Sequence, residues 1–133
     1  MMKNDFVEIN GQQFITKVAV DADEFETGLM FQPWPPPVMS FPFEKAGIHK
    51  FYMKNTPSPL DIVFSYDGKI IDIVEGKPYS LENLGPETFV DLVVELPRGT
   101  AEEHGFRLGH KIKLYKSIHT LAKSYQHFLT RLS

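Results

Sequence analysis

Apolar and polar residues alternate with a period close to two through most of this chain, and the period lengthens to three or four residues only near its end. Phe6–Ile9 and Gln12–Ile15 flank Asn10-Gly11, two residues that tolerate the positive φ of a tight hairpin turn, so the spacing predicts an opening β-hairpin whose second arm continues toward Val20. Asp21 and Glu24 then stand at capping-box spacing before Phe25 and Leu29, which predicts a short helix ending near Gly28. Gln32–Pro37 carries too many prolines to donate to a sheet and reads as a stiff surface strap, with no binding role for its Pro-x-x-Pro pattern.

Two short strands are expected over Met39–Phe43 and Lys50–Met53. A second hairpin follows, Leu60–Tyr66 and Lys69–Val74 about Asp67-Gly68. A two-residue turn there sets Tyr66 against Lys69, Phe64 against Ile71, Ile62 against Ile73 and Leu60 against Glu75. That face is core. The other face pairs Ser65 with Ile70, Val63 with Asp72 and Asp61 with Val74, and is expected to be partly buried at most, or a site. Phe89–Leu96 reads as a strand with Val90, Leu92, Val94 and Leu96 inward and Asp91 and Glu95 toward solvent. Thr100 and Glu103 repeat the capping-box spacing ahead of a one-turn helix stopped by Gly105, and Lys111–Tyr115 supplies a last strand.

The expected fold is mainly β: a compact barrel-like or sandwich domain over residues 1–116 with two short helices, followed by a separate element over 117–133. In that last element Ile118, Leu121, Tyr125, Phe128, Leu129 and Leu132 recur at helical steps, which predicts an amphipathic helix. Its apolar stripe needs a cover, from this domain or from a homo-oligomer or other protein assembly.

Composition narrows the function classes. At 133 residues, 42% hydrophobic and 23% charged, the chain is long and apolar enough to build one core without disulfide or metal. Fourteen Lys and Arg against 17 Asp and Glu leave a net charge of -3, no basis for holding a nucleic-acid backbone. No apolar run approaches a bilayer's thickness and the start lacks the apolar segment of an export signal, so no membrane partner and a cytoplasmic location are expected, or a virion location if the chain is phage-encoded. Without cysteine there is no thiol chemistry. The histidines at 49, 104, 110, 119 and 127 form no i, i+4 pair, and neither a Gly-rich phosphate loop nor a nucleophile elbow is present, so no metal or cofactor is expected.

Several strings belong together: Gly28-Leu29-Met30-Phe31, Phe41-Pro42-Phe43, Phe51-Tyr52-Met53-Lys54-Asn55-Thr56, Pro59-Leu60-Asp61-Ile62, Asp67-Gly68 and Glu95-Leu96-Pro97-Arg98-Gly99. With them the chain resembles, over about residues 14 to 114, the uncharacterised ancient-conserved-region family known as domain of unknown function 192. The resemblance implies a compact all-β barrel-like fold with a helix at one side, and no established activity. Gly109-His110 stands where the family tends to have Gly-Asp, and the helix after Ser117 lies beyond the resemblance.

The leading candidate site is the group Lys54, Asn55, Thr56 and Asp61, in which an ammonium, an amide, a hydroxyl and a carboxylate could orient a small polar ligand. Those same short polar side chains could instead serve the backbone of an irregular turn, with Asp61 accepting from Asn55, Thr56 and nearby N–H groups. A weaker candidate is an Asp61–Asp72 acid pair on one strand face, which would give a small carbohydrate-acting hydrolase. Against it stands a non-enzymatic binding or interaction module for a small ligand or protein partner, or a phage virion accessory or structural protein.

Overall fold

A computed structural model describes residues 3–132. The elements run β1 (Phe6–Ile9), β2 (Gln12–Val18), α1 (Ala22–Thr27), β3 (Val38–Gly47), β4 (Leu60–Tyr66), β5 (Lys69–Gly76), β6 (Val90–Pro97), α2 (Thr100–His104), β7 (Ile112–Tyr115) and α3 (Ile118–Leu132). The strands form one seven-stranded sheet in the order β5-β4-β6-β3-β2-β1-β7. All neighbours are antiparallel except β2 and β3, whose parallel pairing is made possible by the α1 crossover. The sheet curls until its two edges meet at one corner, where Ile70 N–H donates to His110 O at 3.0 Å, Gly109 N–H to Ile70 O at 2.8 Å and Ile112 N–H to Gly68 O at 3.0 Å. The result is a half-barrel, mainly β as the alternation predicts.

Curling divides the apolar residues into two cores. Inside the curl, Val7, Ile9, Val63, Ile70, Val94, Leu96 and Ile112 pack with Ala101 and Phe106 of the α2 region. On the outer face of β3, β6 and β4, a second core gathers Met39, Phe41, Leu60, Ile62, Phe64 and Val93 under Leu29, Met53 and Leu84. These covering residues come from irregular segments: Leu29 just after α1, Met53 between β3 and β4, and Leu84 between β5 and β6. Strands β4 and β6 are therefore covered on both faces, which is why β4 is buried from Leu60 through Ser65.

Several expectations are borne out. The Asn10-Gly11 hairpin pairs Ile9 with Gln12, with Asn10 at φ 46° and Gly11 at φ 86°. Asp21 and Glu24 form the full capping box, with Glu24 N–H donating to Asp21 Oδ1 at 2.8 Å and Asp21 N–H to Glu24 Oε1 at 3.2 Å. Gly105 closes α2 in the left-handed region, and α3 forms as expected.

Other expectations need correction. The second hairpin keeps the expected register for Tyr66–Lys69 and Ser65–Ile70 only; a bulge then leaves Ile71 without a rung, and Phe64 pairs with Asp72, Ile62 with Val74 and Asp61 with Glu75. Every face assignment on β5 beyond the bulge is thereby inverted. The second β4 face is no mixed surface, because it lines the barrel interior. Lys50–Met53 makes a single bridge, Phe51 to Leu84, rather than a strand, while β3 runs on to Gly47. Thr100 does not cap α2: the N-cap is Gly99, without a side-chain hydrogen bond of its own, and Thr100 Oγ1 donates back to Pro97 O at 2.6 Å. Glu95 is not solvent-facing; it is 4% exposed.

Candidate functional site

Glu95 pairs with Met39 on one side and Ile62 on the other, so it shares their outer sheet face, the face roofed by α1 and its continuation. Gly28 ends α1 at φ 47° and ψ -123°, a backbone conformation that disfavours any Cβ. A Cβ there would stand 3.3 Å from Phe41 Cζ and 3.7 Å from Glu95 Oε1. The glycine thus lets the roof come close while leaving room beside the acid.

Between sheet and roof lies a pocket of about 400 Å³, with Glu95 among its lining residues. A cluster of aromatic rings lines it: Phe25 lies 5.9 Å from Phe41 and 5.2 Å from Phe43, and Phe51 lies 4.9 Å from Phe41, all in tilted or edge contacts. His49 stacks on Phe43 at 3.7 Å between centroids. Of the charged groups around the opening, Lys50 is held by Gly85 O at 2.6 Å and by Glu87, and Glu26 accepts from the Tyr52 hydroxyl at 2.8 Å. That bond raises the Tyr52 pKa. Lys54 forms no ion pair among the described residues and borders the pocket with Thr56.

Glu95 differs from these. It accepts no hydrogen bond and forms no ion pair with any described residue, although its carboxyl oxygens open onto the pocket. Burial among apolar groups pushes its pKa up to about 8, so the carboxyl is mostly protonated at neutral pH. In that state it offers one O–H donor and open acceptor capacity to whatever enters.

The sequence-predicted group does not assemble as one site. Asn55 takes a left-handed turn conformation, φ 54°, and its carbonyl accepts from Phe31 N–H at 2.8 Å. Thr56 Oγ1 donates to Lys54 O at 3.0 Å. The bend therefore fastens the Gly28–Phe31 roof to the body. Asp61 lies on the opposite sheet face and 1% exposed, with Oδ1 accepting from Arg98 Nη1 at 2.8 Å and Oδ2 from Gly99 N–H at 3.0 Å and Ala101 N–H at 2.9 Å. It serves as the missing cap of α2, from a strand far back in the chain, and the hydrogen bond raises the Arg98 pKa. Neither Asn55 nor Thr56 reaches it. Asp72, paired with Phe64, lies on the face opposite to Asp61, so the two acids do not form the pair the hydrolase reading requires. Among the described residues no group of three His, Asp or Glu side chains gathers in a way that would hold a metal ion.

Glu95 had a signal in the sequence that period-two reading discards: within the run Val90–Leu96 it shares its parity with Val93 as well as with Asp91. A solvent-facing parity would not carry Val93. The run needs cover on both sides, and a carboxyl inside it is then a buried one.

A curled seven-stranded sheet roofed by one crossover helix, with a lone acid beneath the roof, defines the architecture to which comparison with known proteins can be made. The chain belongs to the family DUF192, described as "Uncharacterized ACR", whose model matches residues 6–114. No curated protein matches it in sequence. Two solved structures are similar. One, a protein of unknown function from Novosphingobium aromaticivorans DSM 12444, is 28% identical, with a TM-score of 0.75 over 81% of this chain and 83% of that one. The other, named a "putative transcription regulator" from Sinorhizobium meliloti 1021, is 30% identical, with a TM-score of 0.75 over 84% of this chain and 93% of that one. No helix among the described residues is long and apolar enough to cross a membrane.

Proposed function

We propose that this chain is a small-molecule-binding module whose ligand seats a ring or alkyl body among Phe25, Phe41, Phe43 and Phe51 and places one hydrogen-bonding head group on Glu95. The observation that carries this reading is a carboxyl 4% exposed, with no internal partner, at the base of an aromatic pocket. A buried polar group is costly when unpaired and is otherwise hydrogen-bonded, so an external partner is the economical explanation. Lys54 at the rim remains available to an anionic group on the outer end of such a ligand. Thr56 contributes to the wall. Asn55 acts indirectly by holding the roof, and Asp61 takes no part.

A nucleic-acid role, which the name of the Sinorhizobium protein raises for that protein, finds less support here. Seventeen Asp and Glu outnumber 14 Lys and Arg, and Arg98, Lys50, Lys123 and Arg131 are each paired with a carboxylate of the same chain, so the chain carries no excess of positive charge to hold a phosphate backbone.

The test is an NMR titration and thermal-shift series with aryl and alkyl amides and amines of six to ten heavy atoms, such as benzamide and benzylamine. The expected result is saturable shifts confined to Phe41, Phe51, Gly28 and Glu95, lost in Glu95→Leu and kept in Asp61→Asn. Absence of saturable shifts at the pocket for every compound, or unchanged affinity in Glu95→Leu, would remove the proposal.

A further inference from the structure

The tail helix α3 sits on the body with its polar side inward. Asp5 accepts from Ser117 N–H and from Thr120 Oγ1, both at 2.6 Å, Lys123 Nζ donates to Glu24 Oε2 at 2.7 Å, and Arg131 Nη2 donates to Glu44 Oε2 at 2.6 Å. Thr120, Ser124 and His127 are the helix residues that are partly covered. The apolar stripe faces away: Ile118, Leu121, Tyr125, Phe128, Leu129 and Leu132 are all between 39% and 69% exposed, and no residue of the helix is buried.

The stripe has a definite spacing. Ile118, Leu121, Tyr125, Phe128 and Leu132 follow one another at alternating steps of three and four, the repeat that keeps a seam facing a partner helix rather than a flat or broad surface. We propose that this seam pairs with the same seam of a second copy of the chain, forming a two-fold dimer through α3. This inference is independent of the pocket.

Three observations select a second copy as the occupant. Identical helices can face each other only if the positions beside the seam do not repel; here Ala122, Ser124 and Leu129 carry no charge, and Arg131 is neutralised by Glu44 of its own body. Six large apolar side chains, each about half exposed, offer roughly 600 Å² per copy, so an isologous pair removes on the order of 1,200 Å² from water, above the ~1,000 Å² that a stable interface needs. A lipid surface would call for a cation-rich polar face, whereas Lys123 and Arg131, the helix's only Lys or Arg residues, are each held by a carboxylate of the body.

Light scattering at tens of micromolar should give twice the 15.2 kDa of one chain, and Leu121→Glu with Phe128→Glu should return the mass to that of the monomer. The melting transition of the β-domain should persist in this double variant, which separates loss of pairing from loss of folding. Because the chain contains no cysteine, Tyr125→Cys introduces its only thiol, and under mild oxidation it should cross-link two copies, whereas His127→Cys on the body-facing side should not. A monomeric wild-type chain at these concentrations overturns the proposal. So does a dimer that survives the double substitution, or a monomer recruited to anionic phospholipid vesicles through the same residues.

Discussion

Arg98 Nη1 meets Asp61 Oδ1 at 2.8 Å while the second oxygen of the same carboxylate takes the Gly99 and Ala101 N–H groups that begin α2. One buried side chain satisfies two backbone donors that would otherwise be left without partners, and holds a guanidinium whose Nε also lies 3.3 Å from Glu75 Oε1. Asp61→Ala is expected to destabilise the fold by about 3 kcal/mol, since it strands the buried Ala101 N–H and takes the acceptor from the half-buried Gly99 N–H and from Arg98, and Asp61→Asn by about 2 kcal/mol, since one amide oxygen cannot replace two carboxylate oxygens. Urea unfolding measures both. Arg98 is 44% exposed, so Arg98→Ala should cost only about 1 kcal/mol; a loss as large as that of Asp61→Ala would mean that the ion pair, rather than the cap, dominates.

Glu95 gives the fold an unusual dependence on pH. Its pKa lies near 8 in the folded chain against 4.5 for an unperturbed group, so between those values the folded state holds one more proton than the unfolded state. Stability therefore falls as pH rises through that window, by about 1.4 kcal/mol per unit at the steepest, and the penalty reaches the order of 3 kcal/mol at pH 7. Below pH 4.5 both states are protonated and the penalty disappears. Glu95→Gln should remove this slope and melt above the wild type at pH 7. Melting curves of the two proteins that run parallel from pH 5 to 8 would show that the acid is ionised at neutral pH.

Gly85 has φ 133°, and a Cβ on it would stand 2.9 Å from Phe64 Cε2 and 3.2 Å from the His49 carbonyl. Phe64 is fully buried and its ring also contacts Phe51, so the ring has nowhere to move. Gly85→Ala is expected to destabilise the protein by about 2 to 3 kcal/mol through overpacking and backbone strain together. Gly11→Ala, at a turn with nothing near the added methyl, isolates the backbone part of that cost and should lose only about 1 kcal/mol. Equal losses at the two positions would argue that the Phe64 ring yields.

What the sequence reveals follows from how local each device is. Asn10-Gly11, Asp67-Gly68 and Asp21 with Glu24 act within four residues and are legible, as is the long seam of α3. The bulge at Ile71 is not legible, because counting from the turn holds for two rungs and then assigns every later β5 side chain to the wrong face. Asp61 pointed to a role but not to its partners: the nearest polar side chains in sequence, Asn55 and Thr56, are plausible donors, and the actual ones lie across β6. Glu95 was obscured by a strand that alternates well enough to suggest a wet side. Only the tertiary placement of α1 and the Gly28–Phe31 segment turns that side into a second interior.

The cap supplied by Asp61 also bears on how the molecule comes together. Five residues are too few to hold helical shape by themselves, and the donors at the start of α2 find their acceptor forty positions earlier in the chain. That turn therefore has no separate existence. It condenses only once the β4–β5 hairpin has been laid down alongside β6, and any fluctuation that lifts the hairpin away must dissolve it, so the smallest helix of the protein reports on the pairing of β4 with β6.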